Sequence, residues 1–225
     1  MTSTESQPLG VSGAAPAGPR ADLGDVRSVV RLTALIGGPL FLLTVILHPA
    51  RDGYHIAAHP TWYEITHLTE AASLLIQAVC LAGVLALVAG RIRRRGLASV
   101  YTAIVGTVSW FGLIVFDGSH NPATAKYAPQ FVHTSADLDL SATVIVLVAN
   151  VLFPVGYAML ARMLVRTGAR AAGLLLGIGA AVYSLGGTAA LLGLGPHSVV
   201  TSVVEIAGAA PYALGYVLLA RTFAS

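Results

Sequence analysis

The sequence predicts an all-α, polytopic membrane protein with six transmembrane helices and both termini in the cytoplasm. Three observations carry that prediction: scarcity of charge, six long apolar segments, and a lopsided distribution of arginine. Of the 225 residues, 56% are hydrophobic and only 10% are charged. A soluble domain uses about 25% charged residues to cover its surface. The mean hydropathy is +0.77. Little chain is left outside the apolar segments, so a single bundle is expected. Cys80 is the only cysteine, so no intrachain disulfide is available and redox compartment cannot be read from it.

Along the chain, residues 1–25 are rich in Ser, Thr, Gly, Ala and Pro. They bury too little apolar surface to fold and read as a disordered cytoplasmic tail. The first apolar run starts near Val29 and exceeds the 7–15 residues of a signal-peptide core, which favours an uncleaved helix. The expected spans are 29–48, 65–90, 97–117, 139–162, 171–193 and 199–220, each near the ~20 residues that cross a bilayer core. Backbone groups must bond internally in lipid, so each is a helix. Pro39 follows Gly37 and Gly38 in the first span, where a kink is expected.

Eleven basic residues lie on one side of these spans: Arg20, Arg27, Arg31, Arg91, Arg93, Arg94, Arg95, Arg162, Arg166, Arg170 and Arg221. Only Arg51 and Lys126 lie on the other. The positive-inside rule makes the arginine-rich side cytoplasmic and places the protein in the cell membrane. All seven histidines and seven of the ten acids then fall in outer loops or outer helix ends. The longer connections, 49–64 and 118–138, are also outer. Trp62, Tyr63 and Tyr54 fit an interfacial aromatic belt, and Asp137 and Asp139 fit an N-terminal cap on the fourth span.

Phased at 100° per residue, Thr66, His67, Glu70, Ser73 and Gln77 share one face of the second span, with Glu64 just off it. Thr143, Asn150 and Tyr157 align on the fourth span. Ser198, Thr201, Ser202, Glu205, Tyr212 and Tyr216 align on the sixth. Trp110 and Asp117 share a face of the third. Polar stripes on four helices imply a shared interior, because a lipid-facing polar group has no partner. The sequence therefore predicts an outward-opening cavity lined by Glu70, Gln77, Asp117, Asn150, Tyr157, Glu205 and Tyr212. The fifth span carries Gly173, Gly177, Gly179, Gly186 and Gly187 instead, and the GxxxG pair at 173 and 177 suits close helix packing.

Carboxylic acids in an apolar cavity suit acid–base catalysis, since burial disfavours the charged form and a neutral acid can protonate an alkene, epoxide or carbonyl. Glu70 and Glu205 are the candidates for acid and base, with Asp117 as the alternate. Glu64, His67, Gln77 and Asn150 would contact the substrate. Trp110, Tyr157, Tyr183 and Tyr212 would supply aromatic faces to steady cationic character. This chemistry calls for no cofactor and no metal.

A small helical membrane protein with intramembrane acids on an early and a late helix resembles the integral-membrane terpene cyclases of meroterpenoid and indole-terpenoid pathways. The resemblance implies cyclisation of a prenyl chain or its epoxide, initiated by acids at Glu64 or Glu70 and at Glu205. The fungal members usually have seven helices where six are counted here, and no diagnostic motif is present, so the likeness is one of architecture. The segments "RLTALIGGPLFLLTVILHP", "GLLLGIGAAVYSLGGTAALLG" and "IAGAAPYALGYVLLARTF" are also similar to the first and last helices of a large bacterial family of six-helix proteins of unknown function.

Two further classes compete. His67-x-x-Glu70, Asp117-x-x-His120 and, in a helical loop, His55-x-x-x-His59 each set ligands one turn apart, as a Zn or Fe site would. The order is the reverse of the Glu-x-x-His of di-iron bundles, and no HExxH occurs. Buried acids could also serve proton relay or sensing, but no inverted repeat or broken-helix pair points to a secondary transporter. With no basic domain beyond the membrane-flanking arginines, nucleic-acid binding is excluded. The expected partners are the lipid bilayer and a lipophilic small molecule, and the oligomeric state stays open.

Overall fold

The computed structural model describes residues 23–132, 140–191 and 199–223. Their regular structure is helical throughout: α1 Leu23–Leu47, α2 Gly53–Ala58, α3 Pro60–Val88, α4 Arg94–Tyr127, a 3₁₀ turn Pro129–Phe131, α5 Leu140–Arg166, α6 Arg170–Leu191 and α7 Val199–Thr222. Every one of these except α2 and the 3₁₀ turn is long and apolar enough to cross a membrane, six in all. Chain neighbours pack against each other, α1 on α3, α3 on α4 and so on, and α7 returns to α1. The six long helices therefore form a closed ring. Leu32, Leu68, Leu147 and Leu185 are exposed on its outside, as lipid-facing side chains would be.

The helices begin and end beyond the expected spans. Residues 23–25, read as the end of the tail, are already helical. Pro60 opens α3 at its first turn, where a missing N–H costs nothing. The largest departure is α4, which runs ten residues past 117 to Tyr127. Its polar stretch "DGSHNPATAKY" lacks the hydropathy of a span, yet it stays helical because α2 and the 3₁₀ turn pack on it. Ile56, Tyr63, Ala125 and Val132 bury together at that contact. The expected outer loop 118–138 is thus partly helix, and α2 lies within the expected loop 49–64. Tyr63, assigned to an aromatic belt, is fully buried, while Trp62 and Tyr54 are exposed as expected.

Small residues set the helix spacing. Gly173 abuts the Ala161 carbonyl and Gly177 the Ala161 methyl, so the GxxxG pair seats α6 on α5. Between these two helices Gly168 takes φ +98°. The Ala169 amide there donates to the Leu164 carbonyl at 2.9 Å, the hydrogen bond that closes a helix C-terminus around a left-handed residue. α1 passes Pro39 unbroken, and Gly38 lets its backbone approach Tyr216 of α7.

Candidate functional site

Aromatic side chains fill the centre of the ring. Phe41 of α1 meets Tyr183 of α6 edge-on, with ring centres 4.9 Å apart. Trp110 of α4 lies 5.0 Å from Phe153 of α5 and 5.4 Å from Tyr183. Tyr157 stands 5.0 Å from Tyr212 of α7. Trp110, Tyr157, Tyr183 and Tyr212, named together as aromatic faces, lie next to one another here, although helical phasing aligns only the first two and Tyr212. Phe41 and Phe153 join them, although no polar stripe marks either residue in the sequence. The Trp110 Nε1–H is buried with no hydrogen-bond partner among the described residues, an uncommon state for an interior donor. Gly187 keeps space beside this indole, for a Cβ there would lie 3.3 Å from Trp110 Cη2 and 3.4 Å from Asn150 Oδ1. Asn150 itself donates back to the Val146 carbonyl at 2.9 Å.

The polar stripe of α3 faces inward as predicted: Thr66, His67, Glu70, Ser73 and Gln77 are all buried. Three of them, His67, Glu70 and Gln77, find partners on other helices. Deepest, Gln77 donates to the Gly37 carbonyl at 2.9 Å and accepts from the Tyr212 hydroxyl at 2.6 Å. Beside it, Tyr157 and Tyr216 share a 2.6 Å hydrogen bond, and Thr107 reaches Tyr157 at 3.0 Å. One level up, the Tyr183 hydroxyl donates to Glu70 Oε1 at 2.8 Å. Glu70 is 1% exposed, so that hydroxyl offsets part of the cost of taking a carboxyl out of water.

Glu205 meets a different environment. No basic residue lies near it in sequence, but the connection from α1 to α2 folds inward and Arg51 Nη1 reaches Glu205 Oε1 at 2.7 Å. Both side chains are largely buried, at 19% and 7% exposure. Burial alone would lower the Arg51 pKa, but Glu205, Tyr183, Tyr63 and Asp117 together outweigh it, and Arg51 is held above its ordinary value. Gly186 of α6 leaves the space for Glu205, whose Cγ would lie 2.5 Å from a Cβ placed there. Tyr183 lies in the field of Glu70, Glu205 and Arg51 alike. A guanidinium thus faces one carboxyl and a neutral hydroxyl the other. Arg51 is not marked as a site residue by the sequence, where it counts only as a charge on the sparse side of the bundle.

Nearest the histidine-rich end, His67 Nδ1 lies 2.8 Å from the Tyr63 carbonyl and Nε2 lies 3.0 Å from Asp117 Oδ2. The Tyr63 carbonyl only accepts, so Nδ1 carries hydrogen in that bond, and Nε2 donates in turn when Asp117 is ionised. Tyr63 donates to Asp117 Oδ2 at 3.2 Å, and Asn121 donates to Asp117 Oδ1. His48 Nε2 stands 3.4 Å from His67 Nε2. Burial, then Arg51, then His67 push the His48 imidazole well below its ordinary pKa. Tyr63, His48 and Asn121 complete this cluster, and the sequence assigns none of them to it.

Glu64 is exposed and outside the cluster, since it lies off the buried arc of α3. The ligand spacings do not become ligand sets. His55 turns to Asp52, the cap of α2, and His120 is exposed and stacks on Phe116. Among the described residues no three His, Cys, Asp or Glu side chains are arranged to hold one metal ion. His133, Asp137, Asp139, His197 and Ser198 lie outside the described residues.

Comparison with protein families, characterised proteins and solved structures returns no match for this chain.

Proposed function

We propose that this chain is a multi-pass membrane enzyme, with both termini cytoplasmic and its histidine-rich end outward, that performs acid–base chemistry on a lipophilic substrate, with an isoprenoid as the favoured class. The orientation rests on the arginine distribution. The observation that carries the reaction is the pair of buried carboxyls in unlike surroundings at the edge of an aromatic core, Glu70 under Tyr183 and Glu205 against Arg51. Unlike surroundings are what divide a carboxyl pair into acid and base.

Glu70 is the acid and delivers its proton to a terminal alkene or to an epoxide oxygen. The new cation is trapped by a second double bond or a hydroxyl of the same molecule, which closes a ring. Glu205 accepts the proton lost at the end, so the substrate gains and loses one proton and the net reaction is an isomerisation. Tyr183, bonded to Glu70 and within the field of Glu205, is the group proposed to return it. The rings of Phe153, Tyr157 and Tyr212 offer their faces to the cation. The Trp110 N–H, without a partner among the described residues, suits an oxygen of the substrate. The isoprenoid class rests on this aromatic interior and on the resemblance to membrane terpene cyclases.

The test is turnover by the full chain in nanodiscs, with a panel of prenylated phenols and their terminal epoxides, read as new isomers of unchanged mass by chromatography. Glu70→Gln and Glu205→Gln should each lower turnover by about 100-fold or more, the usual contribution of a general acid or base. Full turnover in both variants, or no isomer from any member of the panel, overturns the reading.

A further inference from the structure

We propose that the arginine-rich end of the bundle holds a specific binding pocket for the phosphate headgroup of an anionic membrane phospholipid, between the start of α4 and the end of α5. This site is remote from the carboxyls and independent of the reaction proposed for them. An open pocket of about 900 Å³ lies there. Its charged lining is Arg93 just before α4, Arg94 and Arg95 in the first turn of α4, and Arg162 and Arg166 from the last turns of α5, with Ser99 and Thr167 beside them. Two helix ends far apart in sequence thus bring five arginines to one cavity.

Close packing of α4 on α5 sets where the pocket begins. A Cβ at Gly156 would lie 2.6 Å from the Thr102 carbonyl, so the backbones touch at that crossing. Arg162 stands about 9 Å further along α5 at 1.5 Å per residue, and it is there that the helix ends enclose the cavity. Among the described residues that charge is unopposed. Among the described residues the acid at this end of the bundle is Asp25 on α1, and α1 packs on α3 and α7 rather than on α4 or α5. No ion pair involves the five arginines among the described residues.

Arginine at a membrane boundary is expected from topology alone, and these five are exposed, so their charge by itself says no more than that. The apolar lining separates a binding pocket from that case. Met159, Met163 and Ala98 share the cavity with the guanidiniums, while Tyr101 and Val155 continue an exposed apolar face from it along α4 and α5. A cavity that is cationic at the water side and apolar toward the lipid fits a phosphate with acyl chains attached, whereas a free anion would use only half of it. Basic pockets between membrane helices on the cytoplasmic side take such headgroups.

The experiment uses the full chain in a neutral detergent and reads thermal unfolding and native mass spectra while phosphatidylglycerol, phosphatidylcholine or inorganic phosphate is titrated in. Phosphatidylglycerol should raise the melting temperature saturably and appear as one retained lipid, and the other two should do neither. The triple variant R95Q/R162Q/R166Q should weaken that binding by about 100-fold, each basic residue near an anionic lipid contributing roughly fivefold. The charge-matched control R91Q/R170Q/R221Q, which lies outside the lining, should retain it. Ala98→Trp fills the pocket without touching a charge and should also lose the lipid, which keeps the test decisive where the triple variant fails to fold. Equal loss in both triple variants, retention in Ala98→Trp, equal retention of phosphatidylcholine, or protection by phosphate alone would each overturn the proposal.

Discussion

The residue that most changes the reading of this chain is Arg51. Its partner Glu205 lies 154 positions away, so no local pattern joins them, and a hydropathy profile files Arg51 as a loop charge. The inward stripe of α3 is legible because its helical period keeps Thr66, His67, Glu70, Ser73 and Gln77 on one side. Tyr63 is not, because an aromatic at a helix entrance reads as interfacial until α2 and the extension of α4 cover it. Removing one member of a buried ion pair strands the other, at a cost of about 3–5 kcal/mol. Arg51→Ala and Glu205→Ala should therefore each destabilise the bundle by about that much. The double variant should be less destabilised than the two losses added together, as measured by unfolding in a mixed-micelle titration. Additive losses would show that the pair is not coupled.

At the scale of elements, the long helices are readable and their ends are not. Hydropathy stops at 117 because "DGSHNPATAKY" is polar, whereas α4 continues through it on contacts with α2 that only the tertiary structure supplies. The same contrast governs the glycines, since the sequence cannot tell which of them face another backbone. Gly156 of α5 faces the Thr102 carbonyl, while a Cβ added at Gly112 of α4 would meet nothing within 4 Å. Gly156→Ala should thus overpack the α4–α5 crossing and cost about 1–3 kcal/mol. Gly112→Ala should be neutral or stabilising by up to about 1 kcal/mol, the helix-propensity gain. Thermal unfolding of the two variants checks this directly, and a similar loss in both would contradict the crossing.

For the whole molecule, six helices in a closed ring separate an arginine-rich end from a histidine-rich one, with aromatic rings and paired acids between. The sign of the charge bias predicts which end faces the cytoplasm. Cysteines introduced singly at Tyr54 and Gly90, with Cys80 buried and silent, should therefore react differently with an impermeant maleimide on intact cells. Tyr54→Cys should label and Gly90→Cys should not, and the reverse pattern would invert the topology. The acids buried inside the ring are the feature that an ordinary membrane bundle does not need. The most direct measurement of their role is turnover of an alkene-terminated isoprenoid in D₂O by the wild-type chain and by Glu70→Gln. A proton delivered by Glu70 predicts a cyclised product carrying one carbon-bound deuterium from the wild type and loss of that product in the variant. Undiminished deuterated product from Glu70→Gln would contradict the account.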